Sequence, residues 1–585
     1  PLPLLAVAVL AAAAIVVGSW VMTGPIALPI GLAIIAGALG WLLPLPIHHR
    51  ATYAIACIAL IAWRHRVIAD ACRDAWRQFD DAARAAPRAS SAAILLLGLA
   101  STGAWLPTMQ YDDVVYHLGL PWQLQETARY AMDPSLQVWA LAPWAGDVLQ
   151  GVAQVLAGGE ARGALDALWL AIAAGAVFAL AGALGADATR RWWAIALLGS
   201  LPMSMNLVGG MQTELPAMAL LPVLAWLVLR EAASGSPRGL LAGAILFGAL
   251  CGLKAVHAAV ALPLLGWAGW RHRRAIAWRW LPLAAIAAIA IGASSYAYAW
   301  SIAGNPLLPL LNATFRSPYF PTSDFDDARW QGGLDAGVLW DISFDTERYL
   351  ESSDGGFGFV LVALAGVWLL ALRDARTRGL AIVTALGILL PLLPLQYARY
   401  LQPALVLAIP ALVVAYPAVR GGSAALWALC MLNLAFATNP NWMLRTSALK
   451  RTIAAAGADT SLLERYLPER ALAARLRESG DDTGTVLSMP GSNIALAELG
   501  QRGRNMLLYS PRWQAEGQRV DADPSGEAWA RLLHDHRIAH VMLRPDSLTP
   551  AQRAGLQRSG ATLEATAGEA QWWRIPDRIA DNGQP

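Results

Sequence analysis

Charge is scarce in this chain: 15% of its 585 residues are Asp, Glu, Lys or Arg, against 56% hydrophobic, with a mean hydropathy of +0.44. A soluble domain cannot bury that apolar excess, so an ordinary soluble protein is excluded and a membrane must take the surplus. Lysine is nearly missing, occurring only at 254 and 450, so arginine carries almost all positive charge, a bias that suggests a GC-rich bacterial genome. The net charge of +3 is spread over many connections and leaves no footprint for nucleic acid as a partner. Cysteine is rare too: Cys57, Cys72, Cys251 and Cys430 lie in or beside apolar segments, so no disulfide framework is indicated. No Walker A loop, zinc-ligand spacing or Gly-x-Gly-x-x-Gly fingerprint stands in a strand-to-helix context.

What is present is a succession of apolar runs, each near the roughly 20 residues that cross about 30 Å of hydrocarbon. They fall near 3–23, 25–43, 47–63, 90–106, 163–186, 192–209, 212–229, 239–256, 257–270, 281–300, 357–372, 379–395, 401–418 and 422–437. The stretch 257–270 is short enough to be re-entrant or to merge with its neighbour. Arginine-rich connections mark the cytoplasmic side: Arg64 to Arg88, Arg190 and Arg191, Arg230 and Arg238, Arg271 to Arg274, Arg373 to Arg378, and Arg420. Their alternation places 107–162, 301–356 and 438–585 outside, and the two outer loops are acidic. The tail from 438 is densely charged, with a helical patch at Ala528 to His534 and β-like runs at Val486 to Met489, Met506 to Tyr509 and His540 to Leu543.

These patterns predict an all-α polytopic membrane protein of about 13–14 transmembrane helices with a small C-terminal α/β soluble domain. Its divisions are an N-terminal transmembrane module with a cytoplasmic amphipathic linker (1–89), a transmembrane core (90–437) and an extracytoplasmic domain (438–585). The tail carries no catalytic or metal motif, so a lid, acceptor-docking or stabilising role is expected of it.

The sharpest local signal is Tyr111-Asp112-Asp113-Val114-Val115-Tyr116-His117-Leu118, just outside the run at 90–106. Adjacent carboxylates repel and call for a cation, a proton or a substrate hydroxyl. On a helix, Asp113 and His117 would share a face, suiting general-base work or a divalent cation held by oxygen and nitrogen; equally, one aspartate could simply cap a juxtamembrane helix. Pro121 to Tyr130 and Trp139 to Trp144 read as interfacial helices with aromatic anchors. Arg399, flanked by Tyr397 and Tyr400, suits phosphate oxygens or headgroups. Lys254, His257 and Glu214 are ionisable residues inside apolar runs, a costly placement that marks function by default, although a structural Lys254–Glu214 pair is an equal reading. Asp326 and Asp327 form a second outer acidic pair, able to cover a site or simply to face water.

An apolar span followed by an outer loop with Asp-Asp and Tyr-His-Leu, interfacial helices and many further spans resembles the bacterial GT-C membrane glycosyltransferases, related to protein mannosyltransferases and aminoarabinose transferases. Gly304 to Asn312, Ser317 to Pro321, and Arg399-Tyr400-Leu401-Gln402-Pro403 opening a late span are similar to that class as well. The resemblance covers residues 90–437. It implies transfer of a sugar from a polyprenyl-phosphate donor to a glycan, lipid or protein acceptor at the outer face of a bacterial inner membrane, with inversion. It also implies that, in a catalytic group of Asp112, Asp113 and His117, Asp112 or Asp113 is the base or helps to hold a Mg or Mn ion, the one cofactor to consider, while His117 orients the acceptor or the metal; Arg399, Tyr400, Lys254, His257, Glu214 and Tyr116 are the candidate substrate-binding residues. Three extra apolar segments ahead of residue 90 depart from the pattern. The rival readings are a transporter or flippase for a lipid or small solute, which would carry inverted repeats and midplane charges, and a non-catalytic membrane scaffold.

Overall fold

Long apolar runs can satisfy their backbone polar groups internally only as helices. The computed structural model describes residues 1–230, 235–331, 333–349, 354–439, 441–454, 461–481, 484–492 and 496–576, and in it every apolar run carries helix. Of the outer loop 301–356, residues 332 and 350–353 lie outside the described residues, as do 577–585 of the tail.

The helices Leu2–Gly18 and Ala27–Leu42 form a hairpin whose backbones touch at glycine. A Cβ on Gly31 would stand 1.7 Å from the Ala14 carbonyl oxygen, and one on Gly18 would stand 1.9 Å from that of Ala27. Small residues permit such close packing of helices in a membrane. The hairpin packs on the helix Ala145–Ala157, and its second helix also meets Pro237–Leu253 and Leu281–Gly292, so residues 1–42 lie against the core. Next, Arg50–Ala85 runs for 36 residues and loses helical geometry at Arg64, where the apolar run gives way to arginines.

By length and composition, two helices among the described residues can cross a membrane, Arg162–Ala183 and Ala398–Ala415. Trp278–Gly292 with Ser294–Ala303, bent by 61°, would make a third. The other apolar helices, where about 13–14 spans are expected from the sequence, run for 10–17 residues. Two of the runs are broken inside. Run 192–209 divides into Ala188–Ser200 and Pro202–Val208, because a residue before proline avoids the helical region and Leu201 is extended at ψ 125°. Run 357–372 likewise divides at Leu364.

The tail builds one sheet from β1 (Thr485–Ser488), β2 (Gly503–Arg504), β3 (Ile538–Leu543), β4 (Thr562–Ala567) and β5 (Ala570–Arg574), in the order β2-β1-β3-β5-β4. β1 is parallel to both neighbours, whereas β5 is antiparallel to β3 and to β4. Helices Pro511–Asp521 and Glu527–Asp535 lie in the crossover from β2 to β3, and Gly568 at φ +51° supplies the tight turn between β4 and β5. The expected strand at Met506 to Tyr509 is instead a turn, and that turn reaches into the helical core: the Val138 amide donates to the Tyr509 carbonyl at 2.9 Å.

A buried chain of ion pairs ties the tail to the helices. Arg470 donates to Glu498 at 2.8 Å and to Glu160 at 2.6 Å. Arg162 continues the chain, 3.4 Å from Glu160 and 3.1 Å from Asp166. Trp122 donates to Glu498, and the Arg477 guanidinium stacks 3.9 Å from the Trp122 ring.

Candidate active site

After Trp105 the chain runs extended and then winds through a single π turn, Asp113–His117, before the helix Gly119–Thr127. Such turns mark functional sites more often than ordinary helix does. This one separates the two aspartates. Asp112, Tyr116 and His117 line a cavity of about 380 Å³, within the range of small-molecule sites. Asp113 stands behind the wall, fully buried, accepting from the Thr108 hydroxyl at 2.5 Å and the Met211 amide at 2.8 Å.

Burial raises the Asp113 carboxyl from 3.8 to about 6, against the opposing effects of His117, Thr108, Met211 and Arg162. A carboxyl raised in this way contributes stability at pH below its ordinary 3.8 and loses it as pH rises through about 6. Asp113→Asn removes the ionisation. In detergent it is expected to melt above wild type at pH 8, with the gap narrowing as pH falls toward 3.8; a variant melting lower at pH 8 would contradict this.

The opposite wall comes from three later segments. Arg399, on the short turn Ala398–Leu401, donates to Asp112 at 3.3 Å and lies 3.6 Å from Glu214. Pro403 in the first turn of the next helix lets that helix start where the turn ends. Glu214 opens the helix Glu214–Leu229 and is completely buried, with neither carboxylate oxygen hydrogen-bonded. Lys254, at the extended break between Pro237–Leu253 and Ala255–His272, sits 3.9 Å from Glu214 and 4.6 Å over the Tyr400 ring. Two cations thus flank one bare carboxylate, an arrangement stable only because the charges offset one another in low dielectric. His257 lies behind this wall, its Nε2 2.9 Å from the Thr213 hydroxyl.

Apolar side chains line part of the cavity: Leu307, Leu308 and Leu310 from one segment and Pro391, Pro394 and Leu395 from another. The first segment is held by Asn312, whose amide donates to the carbonyls of Ser317, Phe320 and Pro321 and whose oxygen accepts from Asn305 and the Ser317 amide. Asp326 and Asp327 also line the cavity. Arg329 clamps Asp327 with two hydrogen bonds, of 2.8 and 2.6 Å, and Gln331 donates to Asp326.

Among the described residues no three His, Cys, Asp or Glu side chains are placed to hold a metal ion. Of the two carboxylates considered for Mg or Mn, Asp112 lines the cavity and Asp113 is turned to Thr108.

Sequence reasoning singled out neither Asp147 nor Tyr509 as a site residue. Asp147 accepts from His117 Nδ1 at 2.8 and 2.9 Å, across 30 residues of chain. Tyr509 comes from the tail to line the cavity beside Trp139, at 6.2 Å between ring centroids. The acidic bias of 107–147 was the only local signal for the first, and none pointed to the second.

No protein family and no curated protein matches the chain by sequence. Solved structures do match. ArnT from Cupriavidus metallidurans in the apo state aligns with a TM-score of 0.51 at 14% identity, over 84% of this chain and 99% of that one. The same protein bound to undecaprenyl phosphate gives a TM-score of 0.50 at 13% identity, over 85% and 98%. At these identities the likeness is one of architecture: the chain has the fold of ArnT.

Proposed function

We propose that the chain is a polytopic membrane glycosyltransferase that moves a sugar from a polyprenyl-phosphate donor to an acceptor hydroxyl, inverting the anomeric carbon. The observation that carries the reading is the meeting of Asp112, Arg399, Glu214 and Lys254 in a cavity that leucine and proline side chains also line. A lipid-linked phosphate needs both halves. Its charge is met by guanidinium and ammonium, with Arg399 offering a fork of donors, while the first units of its prenyl chain lie on leucine and proline. The binding of undecaprenyl phosphate by ArnT, which shares this fold, supports the same donor class here. The sequence lacks a nucleotide-binding loop, which agrees with a lipid-linked rather than a soluble donor.

Departure of the sugar leaves a phosphate with added negative charge. Arg399 and Lys254, already placed, stabilise that charge without reorganisation, and Asp112 holds the guanidinium toward the cavity. Arginine-rich connections on one side and acidic loops on the other support a bacterial inner-membrane location, with the site and the 438–585 domain on the outer face.

Purified protein in liposomes with a labelled prenyl-phosphate sugar and a mixed glycan and lipid acceptor pool tests the reading. Wild type is expected to transfer label, and Asp112→Asn to transfer about tenfold less or worse, because Arg399 loses the charge of a carboxylate that holds it at the cavity. Wild type that consumes none of a panel of such donors would sink the proposal.

A further inference from the structure

The transfer proposed above requires a group that takes the proton from the acceptor hydroxyl, and the cavity offers several carboxylates. Each is engaged. Asp112 is paired with Arg399, Glu214 lies between Arg399 and Lys254, Asp327 is clamped by Arg329, and Asp326 accepts from Gln331. A carboxylate that holds a guanidinium is committed to that charge-assisted contact. Asp113 does not reach the cavity, and burial, with Asp112 beside it, raises Tyr116 well above its usual value and so keeps the phenol protonated.

His117 differs. Its Nδ1 lies against both oxygens of Asp147, 2.8 and 2.9 Å away, which fixes the tautomer with the proton on Nδ1 and the lone pair on Nε2. Asp147 is itself buried in the first turn of the helix Ala145–Ala157. The ring lines the cavity, and among the described residues its Nε2 has no hydrogen-bond partner and is not sealed from solvent. This is a base with its lone pair directed to the reacting space and a carboxylate behind it.

We infer that His117 is the general base of the transfer and that Asp147 is its positioning residue. The inference rests on the glycosyltransferase reading. As the acceptor oxygen forms its bond to the anomeric carbon, its proton passes to His117 Nε2. The bond from the anomeric carbon to the phosphate oxygen breaks, and its electron pair leaves on the phosphate beside Arg399 and Lys254. Asp147 keeps the imidazolium stable until the proton returns to water.

The test uses the full chain in liposomes and the labelled donor. His117→Ala is expected to lower kcat about a hundredfold, the scale of a lost general base, with donor KM within about threefold, and added imidazole should restore part of the rate. Asp147→Asn preserves the shape and removes the charge. The imidazolium is faced by Asp147 from one element and by Asp112 and Asp113 from its own turn. Burial acts against it, but the carboxylates, Asp147 foremost, more than offset this and raise its pKa. Loss of the Asp147 charge should therefore move the acid limb of kcat/KM to lower pH as well as reduce kcat. Active wild type with His117→Ala unchanged, or slowed without imidazole rescue while Asp147→Asn leaves the acid limb in place, would overturn the inference alone. If His117→Ala does not fold, the Asp147→Asn pH profile decides. Wild type inert toward every donor would overturn the function and this inference together.

Discussion

Arg399→Ala is expected to cut sugar transfer by about a hundredfold to a thousandfold, the range seen when one preorganised donor to a developing anion is removed. The size follows from where the guanidinium sits. It is 6% exposed, 3.3 Å from Asp112 and 3.6 Å from Glu214, on the wall of the cavity. Truncation removes the fork that meets the leaving phosphate and leaves two carboxylates with Lys254 as their nearby cation, so an incoming phosphate meets net negative charge. Donor KM should rise together with the fall in kcat. Arg399→Lys keeps the charge but loses the bidentate geometry and is expected to fall between the two. Initial rates across donor concentrations, with a melting curve for each variant, separate a lost ligand from a lost fold. A folded Arg399→Ala protein with wild-type kcat/KM would remove phosphate recognition from this residue.

Arg470→Ala should loosen the tail from the helices, at a cost of about 3–5 kcal/mol for breaking a buried ion network from one side. Arg470 is 7% exposed and joins Glu498 of the tail to Glu160 of the helical core. Without it, both carboxylates are buried with Arg162 and Arg477 as their remaining cations, at 3.4 and 3.9 Å. Limited proteolysis in detergent should then cut within 438–470 in the variant and spare the wild type. Glu160→Gln with Glu498→Gln in the same background removes the stranded charges and should recover much of the protection. The network also has a pH signature. Burial pushes the Glu160 carboxyl up, but Arg470 and Arg162 more than offset it and hold it below its usual value. Its contribution is thus fully present above the ordinary value of 4.5 and is lost progressively as pH falls from there through the depressed value. Because Tyr509 travels with the tail, undocking should also slow transfer.

Much of the architecture was legible because it depends on local rules. Apolar runs in a chain with few charges become helices, Pro403 opens a helix, and the β-like runs at Val486 to Met489 and His540 to Leu543 coincide with the strands Thr485–Ser488 and Ile538–Leu543 to within two residues. The residues singled out for chemistry stood out for a related reason: ionisable groups in apolar surroundings are costly, so Asp112, Glu214, Lys254 and Arg399 drew notice without any knowledge of where they meet. Local rules failed where the chain breaks its own pattern, as at Leu201 and Leu364, where runs long enough to span divide into shorter helices.

Composition and periodicity by themselves determined that this is a helical, membrane-suited chain ending in a charged α/β tail, because burial of apolar surface and backbone hydrogen bonding are settled within a few turns of sequence. Only the tertiary structure decided that Asp112 faces the cavity while Asp113 turns to Thr108, that Asp147 backs His117, and that Tyr509 closes a wall built from residues hundreds of positions earlier. Those outcomes depend on one π turn and on side chains brought together by packing, and contacts across such separations leave no periodic trace in the sequence.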